Sequence, residues 1–252
     1  MIMAKLKSLL KIEGTLDGMT FYKKADGQYY VRTKGGVSKD KILNDPAFER
    51  TRENNQEFTE VSKSGKLLRR ALIELLANVK DRTKTNRLSS KLFKVKNFDT
   101  NSVRGQRKVS LGMQTPEGKE SLTGFEFNKN APLDAVLRSN YSLDTTTKEI
   151  KFTAFTPSVM LAAPQGATHI KLYAAHVNYN FSTGESDLVI SNVISSVINN
   201  IATEVTLSFA TPANGQGVEM FLLKIEFLQE LNATLYPLKN GTFNALKLIK
   251  IM

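Results

Sequence analysis

The 252-residue chain contains no cysteine and only two histidines. The first absence removes disulfides, thiolate metal sites and cysteine nucleophiles together, and it favours a reducing, cytoplasmic compartment. The second leaves His169 and His176 as the imidazoles. They stand seven residues apart in a strand-like run, and on a strand an odd separation points side chains to opposite faces, which suits no shared metal. A metal site would then need carboxylates, and neither DTNS (99–102) nor GESDL (184–188) has the length or acid spacing of a calcium loop. No G-x-S-x-G segment marks a serine nucleophile. Glu226 and Glu230 form a carboxylate pair at the end of a strand-like run, where exposed acids are ordinary. Catalytic residues, cofactors and metal ligands are therefore all assigned as none, and the chain is read as non-enzymatic.

Long apolar runs are missing as well. No window approaches the ~18 consecutive apolar residues of a membrane-spanning helix. The N-terminal MIMAKLKSLLKIEGTL lacks the uninterrupted apolar run of a signal peptide, so it is expected to be mature sequence. Its Leu6, Leu9 and Leu10 fit a first element packing on the core, or an amphipathic segment resting on a membrane surface. With 41% apolar and 23% charged residues, the composition is that of a globular chain. A chain of this length buries about 70–75% of its extended surface without staples.

Acids are scarce in one half only. Residues 1–120 hold 26 Lys and Arg against 14 Asp and Glu, a net +12, whereas residues 121–252 hold 9 against 10. Residues 63–108 alone carry 14 basic residues against Glu74, Asp81 and Asp99, a net +11 that equals the charge of the whole chain. A polyanion is the partner such a segment suggests, with Arg69, Arg70, Arg82, Lys84, Arg87, Lys91, Lys94, Lys96, Arg104, Arg107 and Lys108 as candidate phosphate contacts. Against that, no helix-turn-helix or zinc-finger pattern occurs, and aromatic interleaving is limited to Phe93 and Phe98. The near-match GMQTPEGKE fails as a phosphate-binding loop. Five residues rather than four separate Gly112 from Gly118, and Glu120 stands where a hydroxyl is needed.

Periodicity predicts an α+β chain in two domains. Residues 1–118 should form a β-meander followed by a basic helical domain, and residues 119–252 an antiparallel β-sandwich of immunoglobulin-like size, with GMQTPEGKESLTG as the boundary. Asp17-Gly18 and Asp26-Gly27 suit the turns of a three-stranded meander, whose Phe21, Tyr22, Tyr29 and Tyr30 are candidate assembly residues. Such a sheet is marginal by itself and must pack on its own chain or on another copy. Asp45-Pro46 starts a helix over 46–61, with Phe48, Asn55 and Phe58 on one face and Arg50, Glu53, Asn54 and Glu57 in solvent. A second helix carries the apolar stripe Leu67, Leu68, Ala71, Leu72, Leu75, Leu76 and Val79, and a third spans 86–98. Strands are expected at EIKFTAF, THIKLYAAHVNYNF, ATEVTLSFA, GVEMFLLKIEFLQE and FNALKLIKI, while VISNVISSVINNIA fits helix and strand equally.

GTLDGMTFYK, PAFERTRENNQEF, GKLLRRAL and RGQRKVS together resemble a family of functionally uncharacterised bacterial proteins that share the glycine-turn hairpin, the R-x-R-E-N-x-x-E-F helix and a β-rich C-terminal half. The matching helix positions are Arg50, Arg52, Glu53, Asn54, Glu57 and Phe58, and the resemblance implies no activity. Two functions stay open. One is a structural subunit that assembles with copies of itself into an oligomer, filament or phage-like particle. The other is a nucleic-acid-binding protein using the basic helices of 63–108.

Overall fold

The computed structural model describes residues 3–7, 11–33 and 35–252, apart from the side chains of residues 3 and 240. Leu9 and Leu10 lie outside the described residues. The fold is α+β, with an N-terminal sheet, a central helical region and a C-terminal curled sheet. By contact it divides into Met1–Glu53 and Asn54–Met252, whereas composition placed the boundary at 118/119.

The first unit is a small antiparallel sheet followed by helical turns. Its strands are β1 (Met3–Lys5), β2 (Gly14–Leu16), β3 (Met19–Lys23) and β4 (Tyr29–Thr33), in the order β1-β4-β3-β2. Asp17 and Gly18 at φ 45° and 77° make the predicted turn between β2 and β3, since a two-residue hairpin following the strand twist needs positive φ at both positions. β1, which the turn signals did not reveal, adds a fourth strand along β4. Helix α1 (Lys39–Asn44) starts at Ser38, whose side chain accepts from the Lys41 amide. Asp45 likewise accepts from the Ala47 amide to start the turn Pro46–Phe48. Arg52 closes this corner by donating to the carbonyls of Ile42 and Asp45 at 2.8 and 2.9 Å.

Helix α2 (Glu49–Ala71) begins in this unit and continues unbroken into the next, where separate helices were expected on either side of residue 62. Its buried residues are Glu57, Val61, Ser64, Gly65 and Leu68. Phe58, expected to face the core, is 57% exposed. α3 (Ile73–Leu76) prolongs the apolar stripe, burying Leu68, Leu72, Leu75 and Val79. α4 (Lys84–Lys96) buries Leu88, Leu92 and Val95 as its period predicts. α5 (Val109–Gly112) and α6 (Pro116–Leu122) follow. The segment around 118/119 therefore forms short helices that bury Val109, Gly112, Gly118 and Leu122. Thr115 caps α6 by accepting from the Gly118 amide at 3.0 Å, with Pro116 in the first turn. Gly112 and Gly118 let backbones touch: a Cβ on Gly112 would sit 2.1 Å from the Val95 carbonyl, and one on Gly118 would sit 1.9 Å from the Gly112 carbonyl.

After α7 (Leu133–Val136), the remaining elements are β5 (Ser142–Leu143), β6 (Ile150–Phe155), α8 (Pro157–Met160), β7 (His169–Tyr179), β8 (Ser186–Ile190), β9 (Ile194–Val197), β10 (Thr203–Leu207), β11 (Val218–Leu231), β12 (Thr234–Pro237) and β13 (Ala245–Ile251). β8 and β9 resolve the ambiguous stretch as two short strands. β7 and β11 pair without a break from His169–Leu228 to Tyr179–Val218. Short strands extend each side, β8 and β9 along β7 and β12 and β13 along β11. The helices cover one face through Tyr173, Ala175, Val177, Met220 and Leu222. A three-stranded sheet, β10-β6-β5, covers the other face through Ile150, Phe152, Val205 and Leu207, which pack with Ile170, Leu172, Leu223, Ile225 and Phe227. The sandwich is thus unequal, and its larger sheet is shared with the helices. No helix among the described residues is long and apolar enough to cross a membrane.

Burial on both faces leaves polar side chains of the central strands dependent on one another. Glu226, expected in solvent, is buried. It takes Lys224 at 2.6 Å and the Tyr173 hydroxyl at 2.8 Å. Burial works to raise its carboxyl, and the bonds from Lys224 and Tyr173 overcome this and hold it below its ordinary value. His176 accepts the Ala213 amide at Nδ1 (3.0 Å), lies 3.1 Å through Nε2 from Glu219, and stacks on Phe221. Burial lowers its pKa and favours the neutral ring.

The glycine contacts generate a prediction. Gly112→Ala should lower unfolding free energy by about 3 kcal/mol, because backbone must move to admit the methyl group. Gly124→Ala, at φ 79° with no atom within 4 Å of the added carbon, should cost only about 1 kcal/mol through its backbone conformation. Urea denaturation at unchanged slope measures both.

Candidate functional site

The basic segment is the strongest lead in the sequence, and the fold divides its residues. Lys96 is buried against Glu57, which also accepts the Gly105 amide at 2.9 Å, with the Arg107 guanidinium 3.9 Å away. The helix residue expected in water is thus the centre of a knot that fastens α2 to α4 and to the turn at 105. Burial would raise the Glu57 carboxyl, but Lys96 and the Gly105 amide outweigh it and hold it below its ordinary value. Two further acids organise the loops flanking α4. Asp81 accepts from the amide and hydroxyl of Thr83, from Arg87 at 2.6 Å and from the Lys129 amide. These contacts overcome its burial and hold it well below the usual carboxylate range. Asp99 accepts the amides of Asn101, Ser102 and Lys108. Lys84 donates to the Val79 carbonyl at 2.9 Å.

Lys96, Arg107, Arg87 and Lys84 are therefore bound internally. Arg70, Arg82, Lys94, Arg104 and Lys108 are exposed, Arg69 is half-buried, and Lys91 is half-buried with its ammonium 3.1 Å from the Ser121 carbonyl. Of the predicted phosphate contacts, the fold brings three together. Arg87, Lys91 and Lys94, with Ser90, follow one stripe of α4 and form one wall of a cavity of about 390 Å³. Gly124, Phe125 and Glu126 form the other. Arg69, Arg70, Lys96, Arg104, Arg107 and Lys108 do not line it. The second wall is held on β13 by the Gly124 amide on the Leu248 carbonyl (2.7 Å), the Leu248 amide on the Phe125 carbonyl (2.9 Å) and the Phe127 amide on the Leu246 carbonyl (2.8 Å).

Two residues that line this groove each bury a side-chain atom without a hydrogen-bond partner, Arg87 Nε and Glu126 Oε2. Arg87 is oriented by Asp81 and by the Phe125 ring, 5.1 Å from its guanidinium carbon. Glu126 Oε1 accepts the Leu133 amide at 3.1 Å and lies 3.7 Å from Lys247. Burial pushes the Glu126 carboxyl up to about 7, against the opposing pull of the Leu133 amide and of Lys247. Buried polar groups without partners are uncommon, and two in one groove mark it as the candidate site. Ser90, Phe125 and Glu126 were missed from sequence. Glu126 lies far along the chain from α4, and only the F-E-F alternation hints that its segment runs beside a strand. No group of three or more histidine and carboxylate side chains able to hold a metal occurs among the described residues.

The predicted assembly aromatics fall on two faces. The register places Phe21 opposite Val31 and Gly14, Met19 opposite Leu16 and Thr33, and Lys23 opposite Tyr29, so one face carries Leu16, Met19, Phe21, Tyr29 and Val31 together with Thr33 and with Lys23, whose ammonium lies over the Tyr29 ring. Tyr22 and Tyr30 stack on the other face at 6.1 Å. There Arg32 and Lys24 lie over their rings and Asp26 accepts the Tyr30 hydroxyl.

Compared with family models, curated proteins and solved structures, the chain matches none of them.

The Glu57 knot has a testable pH dependence. A carboxyl held below its ordinary value contributes stability that is present above the unfolded-state pKa and lost as pH falls through the folded one. Glu57→Gln should cost about 3 kcal/mol at neutral pH, since it leaves Lys96 buried without its partner. The deficit relative to the parent should shrink as pH drops below the ordinary carboxylate range, as read by denaturation at neutral and acid pH.

Proposed function

We propose that the chain is a non-enzymatic structural subunit that associates with copies of itself through its N-terminal sheet, as in an oligomer, a filament or a phage-like particle. One observation carries this reading: none of the described residues of Met1–Glu53 is buried. A four-stranded sheet normally needs one face covered to repay the ordering of its backbone. Here the face of Leu16, Met19, Phe21, Tyr29 and Val31 leaves Leu16 60% and Met19 44% exposed. A second copy presents the same face, and two such faces packed together supply the missing core. The opposite face, with its stacked tyrosines, cations and Asp26, suits water.

The nucleic-acid reading is weaker. Lys96, Arg87 and Arg107 are engaged within the fold, and the cations left on the helices supply positive charge without a defined way of reading bases.

The experiment is light scattering after size exclusion. The parent should run as a multiple of 28.1 kDa. Phe21→Asp should run as the monomer with its helical circular dichroism intact, because a charge on the shared face is buried only in the assembly. Deletion of residues 1–36 should have the same effect. A parent that is monomeric, or an assembly whose mass neither change alters, contradicts the proposal.

A further inference from the structure

The groove between α4 and residues 124–126 has features that the assembly reading leaves unused. Its volume of about 390 Å³ lies within the range of small-molecule sites, roughly 300–1,000 Å³. Its polar residues line one cavity, and two of them are held in place. Asp81 fixes the terminal nitrogen of Arg87 and leaves Nε without an acceptor. The Leu133 amide fixes one oxygen of Glu126 and leaves the other without a partner. Lys91 is bound only to a carbonyl, and Lys94 makes no ion pair among the described residues. Glu126, the acid that lines the groove, pairs with neither lysine among the described residues.

We propose that this groove binds the terminal phosphate of a phosphate monoester. The phosphoryl oxygens accept from the ammonium groups of Lys91 and Lys94, which line the groove, and ligand entry turns the buried, unpartnered Arg87 Nε and the protonated Glu126 carboxyl toward the remaining oxygens. A monoester fits better than a backbone diester because it offers three terminal oxygens to converging donors and carries more charge toward the cations. The wall of Gly124 and Phe125 takes the less polar body of the ligand.

Glu126 makes binding sensitive to pH. The charged or titratable groups that act on it are Arg87 from α4, Lys247 from β13, Asp134 from α7 and Tyr141 beyond α7. Lys247 is already paired with Asp134, so it leaves the carboxyl high enough to carry its proton near neutrality. Protonated, Glu126 donates to the phosphate. Ionised, it repels it. Affinity should fall as pH rises through about 7. The phosphate's own second ionisation, near ~6, overlaps this window, so the contribution of Glu126 is the difference between the parent and Glu126→Gln.

Isothermal titration of the full chain with inorganic phosphate and with phenyl phosphate tests this at about pH 6 and about pH 8, bracketing the carboxyl's titration. The parent should bind one equivalent of each. Lys91→Met/Lys94→Met should weaken binding at least ~10-fold by removing two charge-assisted contacts. Lys94→Met alone, at an exposed position, should give a smaller loss. Glu126→Gln should lose the part of the pH dependence that the phosphate does not supply. Circular dichroism confirms that each variant is folded. Absence of saturable binding to the folded parent, unchanged affinity in the double lysine variant, or an unchanged pH profile in Glu126→Gln would each overturn the assignment. So would a short DNA strand without terminal phosphate that competes as well as phenyl phosphate, since this would move the chemistry to the diester backbone.

Discussion

Burial of the β7–β11 pair on both faces is the constraint from which the body of this protein follows. Its inward-facing residues need a cover on each side, and the chain supplies helices on one and the sheet of β5, β6 and β10 on the other. Two covers leave little water for the polar side chains at the middle of these strands. Lys224, Glu226 and Tyr173 therefore satisfy one another, as do His176, Glu219 and the Ala213 amide. Asn244 extends the same logic. It joins the Phe227 amide to the Asn78 carbonyl and so ties the end of the helical stripe to the sheet. β13, paired on β11, in turn positions the segment that forms the second wall of the basic groove.

The charges of the helical region divide by the same principle. Glu57, Asp81 and Asp99 each collect several donors and fix the chain around α4. Their partners include residues that, as a linear count, looked like a phosphate surface. The cations that matter for recognition are those the acids do not take. Lys91 and Lys94 are two of these, and they share one groove with the Asp81-paired Arg87 because α4 repeats every three to four residues.

Local periodicity made much of this architecture legible in the sequence. The stripe from Leu67 to Val79, the runs around 150–155, 169–179 and 218–231, and the Asp-Gly turns all appear where pattern places them, because each reports a contact between neighbours in the chain. What pattern missed depends on distant partners. Glu57 looks solvated until Lys96 and the Gly105 amide are brought to it. Glu226 looks exposed until the helices cover its face. Gly112 and Gly118 look like turn residues until α5 meets α4 and α6 meets α5 in backbone contact. Half of the groove was legible, since Arg87, Lys91 and Lys94 share a helix. Phe125 and Glu126 meet them only through β13, and no spacing in the sequence records that.

Two regions of unlike stability are expected, a self-sufficient body around β7 and β11 and an N-terminal sheet proposed to complete its core with a second copy. Native-state hydrogen exchange across a dilution series tests this most directly. Amides of β7 and β11 should exchange slowest at every concentration, whereas those of β3 and β4 should be protected in concentrated protein and lose protection on dilution as copies separate. Slow exchange of β3 and β4 that is indifferent to concentration in a chain shown to be monomeric would contradict the account.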